Sequence, residues 1–280
     1  SGQATGETTV STWDHRNRLT HLERRSNPTS AALVSADYTY DVFDRRIGKK
    51  VVAGAAPVEY RESYVYDGDH IVIEYRDPDG DAGPQPLALS TRRLYGPVID
   101  QILAEETYPA GGGNNSTVLW PLADWQGSVR DLVQFNSSTG QPFITKHIDY
   151  DSFGRVIGVT NGSGQPSTLD SGPSTRLGYT GREFDSETGL QYNRARYYDA
   201  AIGRWLSEDP IGFSAGDPNL YRYVRNNPEN SADPSGLQEA MSKRETDRFR
   251  AAGNPSSPKW IVSQGRSVAN LSPRPTPGRT

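Results

Sequence analysis

The chain has 280 residues, of which only 34% are apolar, and it carries 28 Gly and 20 Pro, a composition that argues against one dense core. A net charge of −4 supplies no global basic field for nucleic acid, and the absence of Cys excludes disulfide frameworks, thiolate zinc sites and Cys nucleophiles. The charge is uneven: residues 238–280 hold eight of the 30 basic residues but only three of the 34 acidic ones, so the body is acidic and the tail basic. Aromatic residues make up 10%, with Tyr outnumbering Phe by 15 to 7, which suits strands presenting amphipathic rings to half-buried surfaces. The chain opens Ser1-Gly2 without a signal-peptide pattern, and apolar runs such as Ile71-Val72-Ile73 are too short to span a bilayer. It reads as a segment of something longer.

From the N-terminus an internal repeat comes first. Trp13-Asp14-His15-Arg16-Asn17-Arg18-Leu19, Tyr40-Asp41-Val42-Phe43-Asp44-Arg45-Arg46 and Tyr150-Asp151-Ser152-Phe153-Gly154-Arg155-Val156 share one frame: aromatic, Asp, two variable residues, a turn former, then Arg. Asn17, Asp44 and Gly154 fill the slot where a hairpin needs a left-handed backbone. Each unit therefore predicts a strand, a tight turn and a returning strand, with Asp and Arg close enough to pair across the turn. Tyr66-Asp67-Gly68-Asp69 and Tyr198-Asp199 are degraded copies. The frame resembles the YD repeat, and that resemblance implies a long sheet that spirals into a hollow shell.

Between repeats, residues 60–66 and 70–75 read as strands about the Asp67-Gly68-Asp69 turn, and Leu94 to Glu105 resembles further strand segments of the same family. Asp124-Trp125-Gln126-Gly127-Ser128-Val129-Arg130-Asp131-Leu132-Val133 resembles the short-loop hairpin that precedes the core segment in this family. Residues 77–86, 111–116 and 161–174 are rich in Gly, Pro, Asp, Asn or Ser and read as loops, the last as a boundary. Beyond residue 237, residues 238–252 have helix-forming composition and the rest is rich in Pro, Ser and Arg, which predicts a largely disordered tail.

Information is densest from Gly178 to Leu237: Gly178-Tyr179-Thr180-Gly181-Arg182-Glu183, Arg194-Ala195-Arg196-Tyr197-Tyr198-Asp199, Gly203-Arg204-Trp205-Leu206, Asp209-Pro210-Ile211-Gly212, Asn226-Asn227-Pro228 and Asp233-Pro234-Ser235-Gly236-Leu237. This stretch resembles the RHS repeat-associated core domain, the C-terminal segment of bacterial RHS and YD-repeat shell proteins, with small departures at Ala200 and Gln191. The resemblance implies an all-β fold: YD-repeat hairpins in a spiralling sheet over residues 1–175, a compact core plug over 176–237, and a variable tail over 238–280.

Four His, at 15, 21, 70 and 147, show no metal-ligand spacing, so no metal or cofactor is expected. Gly111-Gly112-Gly113 lacks the Lys-Ser/Thr of a phosphate loop. The two Asp-Pro-x-Gly units are good turn sequences in their own right. Two carboxylates brought together in a water-poor interior also share a proton, so that one works as base and the other as acid. The family resemblance implies that second role: Asp209 and Asp233 form an aspartyl self-cleaving site and the scissile bond is Leu237–Gln238. Arg204 and Arg222 are candidates to orient a carboxylate or the oxyanion, though arginines on a β surface are more often structural. By the same resemblance the partners are the chain's own tail as encapsulated cargo, the remaining shell repeats and a delivery machinery, with no nucleic acid for the core. The setting implied is secreted, or at a bacterial cell surface. The competing reading is a non-catalytic YD-repeat cell-surface scaffold for adhesion or glycan binding, in which both units are only turns.

Overall fold

A computed structural model describes residues 6–54, 58–97, 99–110, 113, 115–237 and the backbone of 240–241. Twelve strands follow one another in a single antiparallel meander: β1 (Thr8–Trp13), β2 (Leu19–Arg25), β3 (Ala32–Tyr40), β4 (Arg46–Ala53), β5 (Val58–Asp67), β6 (His70–Asp77), β7 (Ala88–Tyr95), β8 (Ile102–Thr107), β9 (Thr117–Ala123), β10 (Val129–Asn136), β11 (Gln141–Tyr150) and β12 (Val156–Asn161). β1 and β12 stand at opposite ends and do not pair, so the sheet is open and not a closed barrel. A small sheet follows from β13 (Glu183–Asp185), β14 (Leu190–Asn193), β15 (Arg196–Asp199) and β16 (Arg204–Trp205). Finally β17 (Ser231–Ala232) pairs with β18 (Ala240–Met241).

The repeated frame has a direct physical reason. Asp41 Oδ1 accepts the backbone N–H groups of Phe43 (2.8 Å) and Arg45 (3.0 Å), and its Oδ2 accepts Arg45 Nε at 2.8 Å. Asp14 does the same with Arg16 and Arg18, and Asp151 with Phe153 and Arg155. The turn-former slot is left-handed at Asn17 (φ 60°), Asp44 (φ 65°) and Gly154 (φ 86°). Asp124 and Asn161 build the same two-amide turn, so Asn161 opens a further hairpin turn where the composition alone read as loop.

The aromatic in the frame couples neighbours. Tyr40 Oη donates to the Leu19 carbonyl (2.8 Å), Tyr66 Oη to that of Arg46 (2.8 Å) and Tyr150 Oη to that of Val129 (3.0 Å), each reaching back to the preceding turn. Arg18 and Arg45 stack over the rings of Tyr40 and Tyr66, at 4.9 and 5.0 Å. Registers slip at Trp13, Tyr40, Tyr66, Tyr95 and Tyr150, and such bulges increase local twist.

The core segment packs on one face of the long sheet. Leu190, Tyr192 and Tyr197 join Leu19, Leu22, Ala36, Tyr38 and Val51, while Tyr179, Tyr198, Trp205, Tyr223 and Val224 close around Tyr150. Leu177 seals a third cluster with Ile102, Val129 and Leu132. Between these apolar patches lies a buried ionic layer. Arg46, Lys49, Glu62, Glu74, Arg93 and Glu105 from the sheet meet Arg176 and Asp185 from the core segment. Burial alone would raise the Asp185 carboxyl; Arg46, Lys49 and Arg176 outweigh it and hold it at about 2.

The helix read from composition over 238–252 falls almost wholly outside the described residues. Ala240–Met241, within it, is a strand: it pairs with Ser231–Ala232, a tertiary partner that overrides local propensity.

Candidate self-cleavage site

The second Asp-Pro-x-Gly unit is gripped by the β14–β15 hairpin along its whole length. Asn193, fully buried, donates Nδ2 to the Asp233 carbonyl at 2.8 Å and is itself fixed by Gln191 Nε2 at 2.9 Å. The Ala195 amide donates to the Ser235 carbonyl (3.1 Å), Arg194 to the Pro234 carbonyl and Arg196 Nε to the Gly236 carbonyl. Asp233 turns its Oδ1 inward along its own turn, accepting Ser235 Oγ at 3.0 Å and the Leu237 amide at 3.3 Å. Its carboxylate is therefore anchored one residue before the Leu237–Gln238 bond.

The first unit arrives from the other side. Asp209 Oδ1 accepts the Ile211 amide at 2.9 Å and its carbonyl accepts the Gly212 amide at 2.8 Å, a self-capped turn. Its other oxygen, Oδ2, lies 3.1 Å from an Arg196 terminal nitrogen, and the same nitrogen lies 3.3 Å from Asp233 Oδ2. The two aspartates are thus brought together on one guanidinium nitrogen. Burial draws the Arg196 guanidinium below its ordinary value, and the two carboxylates oppose that shift. Trp205 backs the guanidinium, its ring 4.2 Å away.

Arg196 is the residue that sequence reasoning missed, although it opens the Arg196-Tyr197-Tyr198-Asp199 run. The two arginines singled out in its place lie elsewhere. Arg222 binds Asp217 through Nε (2.8 Å) and a terminal nitrogen (2.5 Å), and Arg204 is exposed on β16, bridged to Arg222 through the backbone. Gln238 lies outside the described residues. Leu237, with Ser235 and Pro210, borders a cavity of about 450 Å³ that Trp13, Tyr40 and Tyr66 from the hairpin repeats also line. Among the described residues no group of three or more His, Asp or Glu side chains is placed to hold a metal.

Tyrosine–aspartate hairpins in an open antiparallel sheet, with a core segment docked on it that closes around two Asp-Pro-x-Gly turns, define an all-β hairpin-repeat protein. No family model matches the chain. It is 31% identical over 227 residues to the probable deoxyribonuclease RhsB of Dickeya dadantii, covering 80% of this chain and 13% of that protein. To the toxin protein Tse5 of Pseudomonas aeruginosa it is 29% identical over 252 residues, covering 84% and 18%. The solved structure of TcdB2-TccC3 shares the fold with a TM-score of 0.62 at 24% identity, over 82% of this chain and 10% of that one. The chain belongs to the RHS-repeat proteins, and it spans less than a fifth of the length of the relatives named here.

Proposed function

We propose that this RHS shell segment encloses the polypeptide that follows it and cuts its own chain after Leu237, with Asp209 and Asp233 as the catalytic pair. The division follows the same lines: sheet to residue 175, core over 176–237 and cargo-bearing tail over 238–280. The observation that carries the reading is the single Arg196 nitrogen shared by both carboxylates, with Asp233 also holding the Leu237 amide. Water attacks the Leu237 carbonyl carbon, one aspartate takes its proton and hands it to the departing Gln238 nitrogen as the C–N bond breaks. The other aspartate stays in contact with Arg196, which keeps a positive charge beside the developing oxyanion. The chemistry needs no metal and no cofactor.

Around this centre the reading extends to the rest of a longer shell, to a delivery machinery and to a secreted or cell-surface setting. RhsB and Tse5, named as a nuclease and a toxin, support a toxic cargo in such shells. Among the described residues no helix is long and apolar enough to cross a membrane.

The test is intact mass of the freshly purified chain beside Asp209→Asn and Asp233→Asn, with the break mapped to the residue because Asp-Pro bonds also hydrolyse in acid. A cut after Leu237 that disappears in both variants is expected. An intact wild type that is fully folded sinks the reading and leaves the scaffold, with both units only turns.

A further inference from the structure

Six hairpins of the long sheet approach their turns in the same way. On the turn side of a register slip each has a corresponding pair: Trp13 with Leu19, Tyr40 with Arg46, Tyr66 with Ile71 (followed there by Asp67 with His70), Tyr95 with Ile102, Ala123 with Val129 and Tyr150 with Val156. Opposite the aromatic or Ala, five of the six residues are aliphatic, as a position facing an apolar core requires. The sixth is Arg46, whose side chain is 0% exposed.

A charge buried at an aliphatic slot is costly unless its surroundings are built for it. Those surroundings come from both layers. Tyr38 and Tyr64 of the sheet and Tyr192 and Tyr197 of the core segment place their rings 4.4 to 5.8 Å from the guanidinium carbon. Asp185 of β13 accepts one Arg46 terminal nitrogen at 2.5 Å and Tyr197 Oη lies 3.1 Å from the same nitrogen. The Arg46 backbone N–H donates to Tyr192 Oη at 3.1 Å, so main chain and side chain both hold β14. Remaining guanidinium nitrogens, Nε and the second terminal one, face rings without a hydrogen-bond partner.

The two rings gripped from the core segment are immediate neighbours of the groups that arrange the aspartates. Tyr192 precedes Asn193, which fixes the Asp233 backbone, and Tyr197 follows Arg196, which joins Asp209 to Asp233. We propose that Arg46 is a positioning residue for self-cleavage: from the repeat wall it locks the β14–β15 hairpin, so the aspartate pair is aligned only when the core segment is seated on the sheet. This rests on the self-cleavage reading above. An aliphatic residue at position 46, like those in the other five hairpins, would bury the same surface without the lock.

The experiment pairs Arg46→Met and Arg46→Lys with the wild type in two assays on the full chain. The first follows the cut after Leu237 during refolding. The second measures hydrogen exchange in an Asp209→Asn background, reading the Ala195 and Leu206 amides, which close the core hairpin onto its neighbours, against those of β9–β12. Arg46→Met is expected to slow cleavage on the order of tenfold to a hundredfold and to expose the Ala195 and Leu206 amides while β9–β12 stay protected. Arg46→Lys, which keeps the charge near Asp185, restores part of both. Cleavage by Arg46→Met within about twofold of the wild type, unchanged exchange at Ala195 and Leu206, or an equal loss of protection in β9–β12 overturns the proposal. If the wild type is never cut, the self-cleavage reading fails, while the exchange assay still decides whether Arg46 locks the hairpin.

Discussion

Gly236 has φ +69°, and a methyl group built on it would lie 2.4 Å from the Asn193 carbonyl oxygen and 2.9 Å from the Arg196 amide nitrogen. Both obstacles are backbone of the hairpin that holds Asp233, so neither gives way cheaply. Gly212, in the first Asp-Pro-x-Gly unit, has φ +64° and nothing within 4 Å of the same methyl. The two glycines look alike in sequence and differ in what surrounds them. Gly236→Ala is expected to cost at least about 2 kcal/mol and to abolish the cut, whereas Gly212→Ala pays only the left-handed backbone term of about 1 to 2 kcal/mol and still cleaves. Thermal unfolding of each in the Asp209→Asn background, with mass of each in the active chain, separates them. The sequence reveals the aspartates because each lies in a short motif. It hides Arg196, whose contact with Asp233 spans 37 residues and depends on how β15 is folded back.

The hairpin turn is the element most fully readable from sequence, since its chemistry is closed within five residues. One carboxylate oxygen accepts both amides and the other accepts the Arg, and the left-handed slot selects Asn, Asp or Gly. Asn161 provides an internal control: its Oδ1 accepts the Ser163 and Gln165 amides at 2.9 and 3.0 Å without any carboxylate. Amide capture is thus the essential part, and the ion pair with a part-exposed Arg adds little. Asp41→Ala, which strands both amides, is expected to lower stability by about 1 to 3 kcal/mol, and Asp41→Asn by less than about 1 kcal/mol. Chemical denaturation of the two variants checks the order, and equal losses would contradict it. Less readable are the links between hairpins. The Tyr66 hydroxyl reaching the Arg46 carbonyl joins residues 20 apart, and composition alone registers only that Tyr is abundant.

At the scale of the whole molecule, the contact between sheet and core segment is ionic at its centre, which a reading of the strands as alternately buried and solvated does not anticipate. Lys49, Glu62, Glu74, Arg93 and Glu105 look like solvent-facing positions until Arg176 and Asp185 cover them. The acids in this layer respond to pH in opposite senses. Asp185 is held at about 2 in the folded chain, below its value in the unfolded one, so its stabilisation is complete above roughly pH 4 and disappears as pH falls through about 2. Burial raises Glu105, incompletely offset by Arg93 and the Thr175 hydroxyl, so its ionisation at neutral pH opposes folding and its protonation favours it. Asp185→Asn removes the partner of a fully buried Arg46 and is expected to cost about 3 kcal/mol at pH 7. That deficit shrinks as the pH is taken below roughly 4, where the wild-type carboxylate begins to lose its own advantage. Glu105→Gln is expected to cost less at pH 7 than Asp185→Asn, because it removes a carboxylate whose ionisation burial opposes and Arg93 keeps Glu74 as a partner. Denaturation curves for both variants at pH 7, 5 and 3 decide the matter: a deficit in Asp185→Asn that is the same at pH 3 as at pH 7 would show that the carboxylate's charge is not what seats the core segment.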